Sequence, residues 1–180
     1  MPRYIALLRG INVSGQKIIK MVDLKALFEA AGCHSVVTYI QSGNVVFEHV
    51  EGDANLMRQH LEAHLKASLG YAVPTLLRTH EALAAIVAKN PFDDQLPEFG
   101  KRMYVCFLEN APDASAIAAI APYSNPEEQL QVHGSEAYVY YDAGLGKSKL
   151  TNAIIERKLG MATMRNWNTV NTLLEMSKPN

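Results

Sequence analysis

The sequence predicts an α+β fold: two ferredoxin-like βαββαβ halves followed by a C-terminal helix. Three observations lead there. Apolar runs of strand length alternate with amphipathic runs of helix length, in the order strand, helix, strand, strand, helix, strand, and that order occurs twice. In each half the second and third strands are separated only by a short turn, Gln41-Ser42-Gly43-Asn44 and then His133-Gly134. A segment rich in proline and turn residues, Asn90 to Gly100, divides the two. The expected organisation is residues 1–78 as the first half, 79–101 as a connecting helix and linker, and 102–180 as the second half with the terminal helix. The repeat is one of pattern rather than of residue identity.

The elements follow in order. Tyr4–Leu8 is apolar at every position, which suits a central strand covered on both faces. Met21–Ala31 is a helix with Leu24, Leu27 and Phe28 as its stripe and Gly32 as its stop. Val36–Ile40 and Val45–His49 are strands, and Gly43 and Asn44 are the turn residues able to take positive φ. Asp53 or Asn55 caps a helix that runs to Leu69, with Met57, Leu61 and Leu65 inward. Val73–Arg78 is a short strand, and Thr79–Lys89 a helix. In the second half Arg102–Leu108, Gln129–Val132, Ala137–Tyr141 and Ala162–Met164 are strands. Asp113–Ala121, Lys147–Leu159 and Asn168–Met176 are helices.

This topology places loops together. A right-handed crossover makes the first two strands of each half parallel. The exit of the first strand, Arg9–Gly15, then lies beside the turn Gln41–Asn44. By the same logic Gly144–Lys149 lies beside Arg165–Asn168. Loops held by a rigid scaffold are where sites are built.

Composition bounds the function. With 48% hydrophobic and 19% charged residues the chain is neither disordered nor membrane-spanning, and no apolar run reaches the ~20 residues of a membrane helix. Cys33 and Cys106 form no CxxC motif and read as reduced thiols, and the N-terminus has no secretory pattern, so a cytoplasmic protein is expected. The net charge of −1 conceals a segregation. Residues 1–20 hold Arg3, Arg9, Lys17 and Lys20 and no acid, and the last segment is also basic. The basic ends carry the polar loops, which suits an anionic ligand; a solvated surface with chance segregation fits the same counts.

The motifs divide by specificity. Gly146-Lys147-Ser148 between a strand and a helix has the setting of a phosphate-binding P-loop, but that pattern needs glycine where Tyr141 stands. A simpler anion site using Lys147 and Lys149 remains, against a plain glycine turn. Arg9 supplies a fork for phosphate or carboxylate, and Asn12 and Asn44 supply carboxamides that either read a ligand or close their own turns. Arg165 reads as an anion anchor, Trp167 as core, and Asn166 or Asn168 as the cap of the last helix. Tyr138 and Tyr140, with Tyr104, would form an aromatic sheet face, used for packing, for assembly or for stacking RNA bases. His60 and His64 share a helix face without a third metal ligand. No nucleophile motif appears, which leaves Ser42 and Ser148 as residual candidates.

Four blocks carry a resemblance: Leu8-Arg9-Gly10-Ile11-Asn12-Val13, Thr38 to Phe47, Lys147-Ser148-Lys149-Leu150 and Thr163 to Thr169. Together they resemble the mainly bacterial family known as domain of unknown function 1697, over essentially the whole chain. The resemblance implies ferredoxin-like halves. It implies no activity and lends no catalytic residue.

The resulting reading is a protein that binds a phosphate-bearing small molecule or nucleotide through Arg9, Asn12, Lys17, Ser42, Asn44, Lys147, Lys149 and Arg165. No metal, cofactor or membrane is expected. An RNA-binding module ranks second, and a ligand-free assembly protein, homo-oligomeric through its sheet faces, third. The four loops offer no general acid or base, which favours binding over catalysis.

Overall fold

A computed structural model describes residues 1–92 and 101–179. The strands are β1 (Arg3–Leu8), β2 (His34–Tyr39), β3 (Asn44–Glu48), β4 (Thr75–Thr79), β5 (Met103–Leu108), β6 (Glu128–His133), β7 (Glu136–Tyr141) and β8 (Ala162–Asn166). The helices are α1 (Met21–Ala30), α2 (Ala54–Leu69), α3 (His80–Ala88), α4 (Ala114–Ile120), α5 (Asn152–Leu159) and α6 (Trp167–Met176). They form two four-stranded antiparallel sheets, ordered β2-β3-β1-β4 and β6-β7-β5-β8. The expected fold, two βαββαβ halves plus a C-terminal helix, is what the structure shows. The chain divides into two compact units, Met1–Ala84 with Leu173–Asn180, and Ala85–Thr172. Most of the proline-containing connector, residues 93–100, lies outside the described residues.

Local chemistry accounts for the element ends. Asp53 accepts from the N–H groups of Asn55 and Leu56 at the start of α2, and Gly70, at φ 80°, ends it. Thr79 caps α3 through the N–H of Ala82, and Asn166 caps α6 through the N–H of Thr169. In the first unit α1 and α2 lay Leu24, Phe28, Met57, Leu61 and Leu65 on Tyr4, Ala6, Leu8, Val45 and Phe47 of the sheet. In the second, Ile120, Ile155 and Leu159 lie on Cys106, Leu108, Val139 and Tyr141. The alternate residues of the central strands, Ile5, Leu7, Val105 and Phe107, are buried as well, as an all-apolar strand requires.

The duplication reaches single hydrogen bonds. Leu8 N–H donates to Gly43 O and Arg9 N–H to Pro74 O; Leu108 N–H donates to Ser135 O and Glu109 N–H to Met161 O. Arg78 lies opposite Ile5 and Arg165 opposite Val105, and each guanidinium donates to the carbonyl of the residue before it.

Two local expectations are corrected. The helix expected from Lys147 begins at Asn152. Ser148 Oγ takes the N–H of Leu150, Leu150 is buried in the core, and Thr151 caps the helix through Ile154 N–H, so only the short 3-10 turn Leu145–Lys147 precedes it. In the first hairpin the positive φ falls on Ile40 and Gly43, not on Asn44. On α2, His60 is exposed with its Nε2 2.9 Å from Ala31 O, and His64 is half-buried with its Nε2 out of solvent.

Among the described residues no helix is long and apolar enough to cross a membrane. Both cysteines are buried, and burial pushes both thiols up to about 12, which keeps them protonated.

One titration is built into the first unit. His49 accepts from Glu51 N–H through Nδ1, and its ring lies 6.2 Å from that of His60. Desolvation first, then the neighbouring charges of His60 and His34, hold its pKa below the usual 6.5, against an opposing pull from Glu51. The unfolded chain therefore binds this proton more readily, so the stability contribution is present above about pH 6.5 and is lost as pH falls through the folded value. We expect the melting temperature to drop on acidification from pH 7.5 to 5.5, and His49→Gln to flatten that drop. An unchanged profile in the variant would show that His49 carries none of it.

Candidate functional site

The exit of β1 and the β2–β3 turn meet as the topology requires, and Asn12 joins them. Its Nδ2 donates to Ile19 O at 3.0 Å and to Gln41 O at 2.8 Å, and its Oδ1 accepts from Ile19 N–H at 2.8 Å. Both donors and an acceptor of one carboxamide thus hold two loops. Within the first loop Asn12 N–H donates to Lys17 O and Gln16 N–H to Val13 O. The tip is a miniature hairpin with Ser14 and Gly15 at its centre, both at positive φ, as a type I′ turn demands.

Backbone strain gathers here. Among the described residues five non-glycine residues have positive φ, and four of them, Asn12, Ser14, Lys17 and Ile40, belong to these two loops. Asparagine tolerates the left-handed region; a β-branched residue such as Ile40 is an outlier there. Gly43 is fixed by packing as well as by its φ of +81°, since a Cβ would stand 2.7 Å from Ile11 Cδ1 and 2.9 Å from Leu8 Cβ.

The remaining residues of this group take distinct places. Arg9 is half-buried, while Lys17 and Ser42 are exposed. Lys17 Nζ lies 5.3 Å from the centre of the Tyr71 ring and 3.3 Å from Ala72 O. Asn44 is fully buried and donates to Tyr39 O and Ser42 Oγ, so its amide closes the turn. Among the described residues the N–H groups of Ser14 and Gly15 donate to no protein acceptor.

The second constellation is not drawn together in the same way. The exits of β7 and β8 share one end of the sheet, with β5 between them. Lys147 and Lys149 are exposed. Arg165 is buried and donates to Thr163 Oγ1 at 2.8 Å, on the sheet face opposite that packed by α5; burial pushes its pKa down to about 10. Trp167 is buried, as expected.

The three tyrosines do not form one face. Tyr104 packs edge-on to Tyr141 on the helix-covered side. Tyr138 and Tyr140 point the other way and are buried, Tyr138 donating to Ile86 O and Tyr140 lying beside Phe92. Their rings are buried, so neither presents an open face for stacking.

Sequence reasoning missed one feature. A hollow of about 460 Å³ is lined by Arg3, Glu48, Thr79, His80 and Glu81, with Pro2 and Pro179 at its edge. Arg3 Nε donates to Glu48, and this bond first, then one from Ser35, holds the Glu48 carboxyl below its usual range. His80 Nδ1 lies 3.0 Å from Ser177 Oγ, whose proton goes to Leu174 O. With its own proton on Leu174 O, the Ser177 hydroxyl is left to accept from His80 Nδ1–H. Arg78-Thr79-His80-Glu81 was legible only as a helix start, because its partner Ser177 is 97 residues away.

The molecule is thus an α+β protein of two duplicated ferredoxin-like units, with a strained, clamped polar loop on the first. The chain belongs to the family DUF1697, proteins of unknown function, whose model matches residues 1–138. Two of the resembling blocks, at Lys147 and Thr163, lie beyond that match. The chain is similar in structure to the conserved bacterial protein SP0830 from Streptococcus pneumoniae, with a TM-score of 0.80 at 23% identity over 98% of this chain and 99% of that one. That likeness speaks to the fold. Comparison with the curated proteins gives no match.

The clamp has a measurable consequence. Asn12→Ala removes three hydrogen bonds and places alanine at positive φ, so it should cost about 2–4 kcal/mol in urea denaturation, at about 1 kcal/mol per bond plus backbone strain. A loss near zero would mean that the loops are held by other contacts.

Proposed function

We propose that this protein binds a small phosphate-bearing anion at the clamped loop of its first unit. The observation that carries this reading is the concentration of left-handed residues at 10, 12, 14, 15 and 17, with Ile40 beside them. Conformations of this kind cost about 1–3 kcal/mol each for residues other than glycine, persist where the surroundings enforce them, and cluster at binding sites. They also turn successive N–H groups outward, the arrangement that makes an anion-binding concavity. Ser14 and Gly15 supply such donors, Lys17 and Lys20 supply mobile charge, and Arg9 adds to the field from the loop base. Residues 1–20 contain no acid to oppose them.

Asn12 and Asn44 act in this reading as the frame rather than as contacts. Lys147, Lys149 and Arg165 stand outside it. Lys17 Nζ, which sits over Tyr71 and beside Ala72 O, would exchange those contacts for a bound anion.

A thermal-shift titration with inorganic pyrophosphate at low and high salt tests the reading. At about 100 times its Kd a ligand adds about 2.7 kcal/mol of stability. The expected result is a rise in melting temperature that shrinks with salt and is reduced at least severalfold in Lys17→Ala. A flat response at both salt concentrations would refute it.

A further inference from the structure

The same loops expose large apolar side chains in a place where solvation gives no reason for them. Ile18 is 72% exposed, Val13 57% and Ile40 47%. Ile40 in particular combines two unfavourable features, a left-handed backbone and a solvated β-branched side chain. Beside Lys20 the surface forms a shallow hollow of about 450 Å³, bordered by Ile18, Lys20, Asp23, Leu27 and Leu69. Leu27 and Leu69 are half-buried and continuous with the core of the first unit. The hollow is held in shape because Asn12 grips Ile19, on its wall, through both the N–H and the carbonyl of that residue.

Charge and apolar surface therefore alternate over a few residues: Lys17, Ile18, the anchored Ile19, Lys20. A simple inorganic anion uses the lysines and leaves the isoleucine and the hollow unused. We propose, resting on the anion reading above, that the ligand is amphiphilic: a phosphate carrying a hydrocarbon chain. The phosphate meets the hairpin tip, Lys17 and Lys20, and the chain lies along Ile18 into the hollow against Leu27 and Leu69. Asp23 is the one acid on that rim and sits at the first turn of α1, away from the hairpin tip in sequence. No membrane-spanning segment is needed, since a surface loop can take either a free amphiphile or a single lipid at the edge of a bilayer.

The test is a calorimetric series with methyl, butyl and octyl phosphate, each below its micellar concentration, beside inorganic pyrophosphate. Each methylene that enters the hollow should tighten binding by about threefold to fourfold, the equivalent of about 0.8 kcal/mol per buried methylene. Ile18→Ser should flatten that dependence, and it removes no core side chain. Val50→Ser, equally exposed but outside the two loops, should keep the wild-type slope. Vesicles with and without phosphatidylglycerol then separate the sources. Ile18-dependent retention on the anionic vesicles points to bilayer lipid. Binding of octyl phosphate without retention points to a free amphiphile; both are consistent with the proposal. Equal affinity for methyl and octyl phosphate, with pyrophosphate still bound, would overturn this inference and leave the anion reading standing. Failure of every phosphate to bind would overturn both.

Discussion

Everything proposed for this molecule depends on the side chain of Asn12. A twelve-residue connection between β1 and α1, residues 9–20, has no regular structure of its own beyond a four-residue hairpin tip. Such a loop loses conformational entropy on ordering and needs a compensating set of bonds. One carboxamide supplies three of them, bridging the β2–β3 turn through Gln41 and the far side of its own loop through Ile19. With Ile19 held, Ile11 and Ile19 enter the core from opposite ends of the loop, while Val13, Ser14, Lys17 and Ile18 stay outside.

The duplicated unit is an internal control for that statement. At the corresponding exit of β5 the chain passes through Glu109, Asn110, Ala111 and Pro112 and enters α4 at once, capped by Asp113. The strand-end hydrogen bonds are the same in both units, so the sheet does not demand the longer, strained loop. A scaffold present twice, with the strained loop present once, shows that the loop is not a requirement of the fold. The second unit's own polar segment, Gly144–Lys149, is explained by packing: it turns so that Leu150 fills the core and Tyr141 donates to Leu150 O.

The limits of the sequence follow from the range of the interactions involved. The order of elements along the chain, the meeting of the two loops and most element ends were legible because periodicity, caps and crossover handedness are local or topological rules. The start of α5 was not, because Ser148 took the N–H of Leu150 and Thr151 that of Ile154, which delayed the helix. The grouping of Tyr104 with Tyr138 and Tyr140 failed on parity: Tyr104 faces the same side as its cross-strand partner Val139, and Tyr138 the side of Val105. Arg165 looked like an anchor in sequence, yet strand alternation turns it away from the face on which Leu150 packs. The roles of Asn12 and Asn44 were open between ligand and turn, because an amide's partners depend on tertiary placement that no local pattern encodes. The pairing of His80 with Ser177 joins residues far apart and carried no local signal.

The most direct test of the account is an amide NMR titration of the 15N-labelled protein with pyrophosphate. The clamped loop as an anion site predicts downfield movement of the Ser14 and Gly15 amides, with smaller shifts at their loop neighbours and saturation at a single affinity. Shifts confined to Gly144–Lys149 or to residues around His80, or no shift at all, would contradict it.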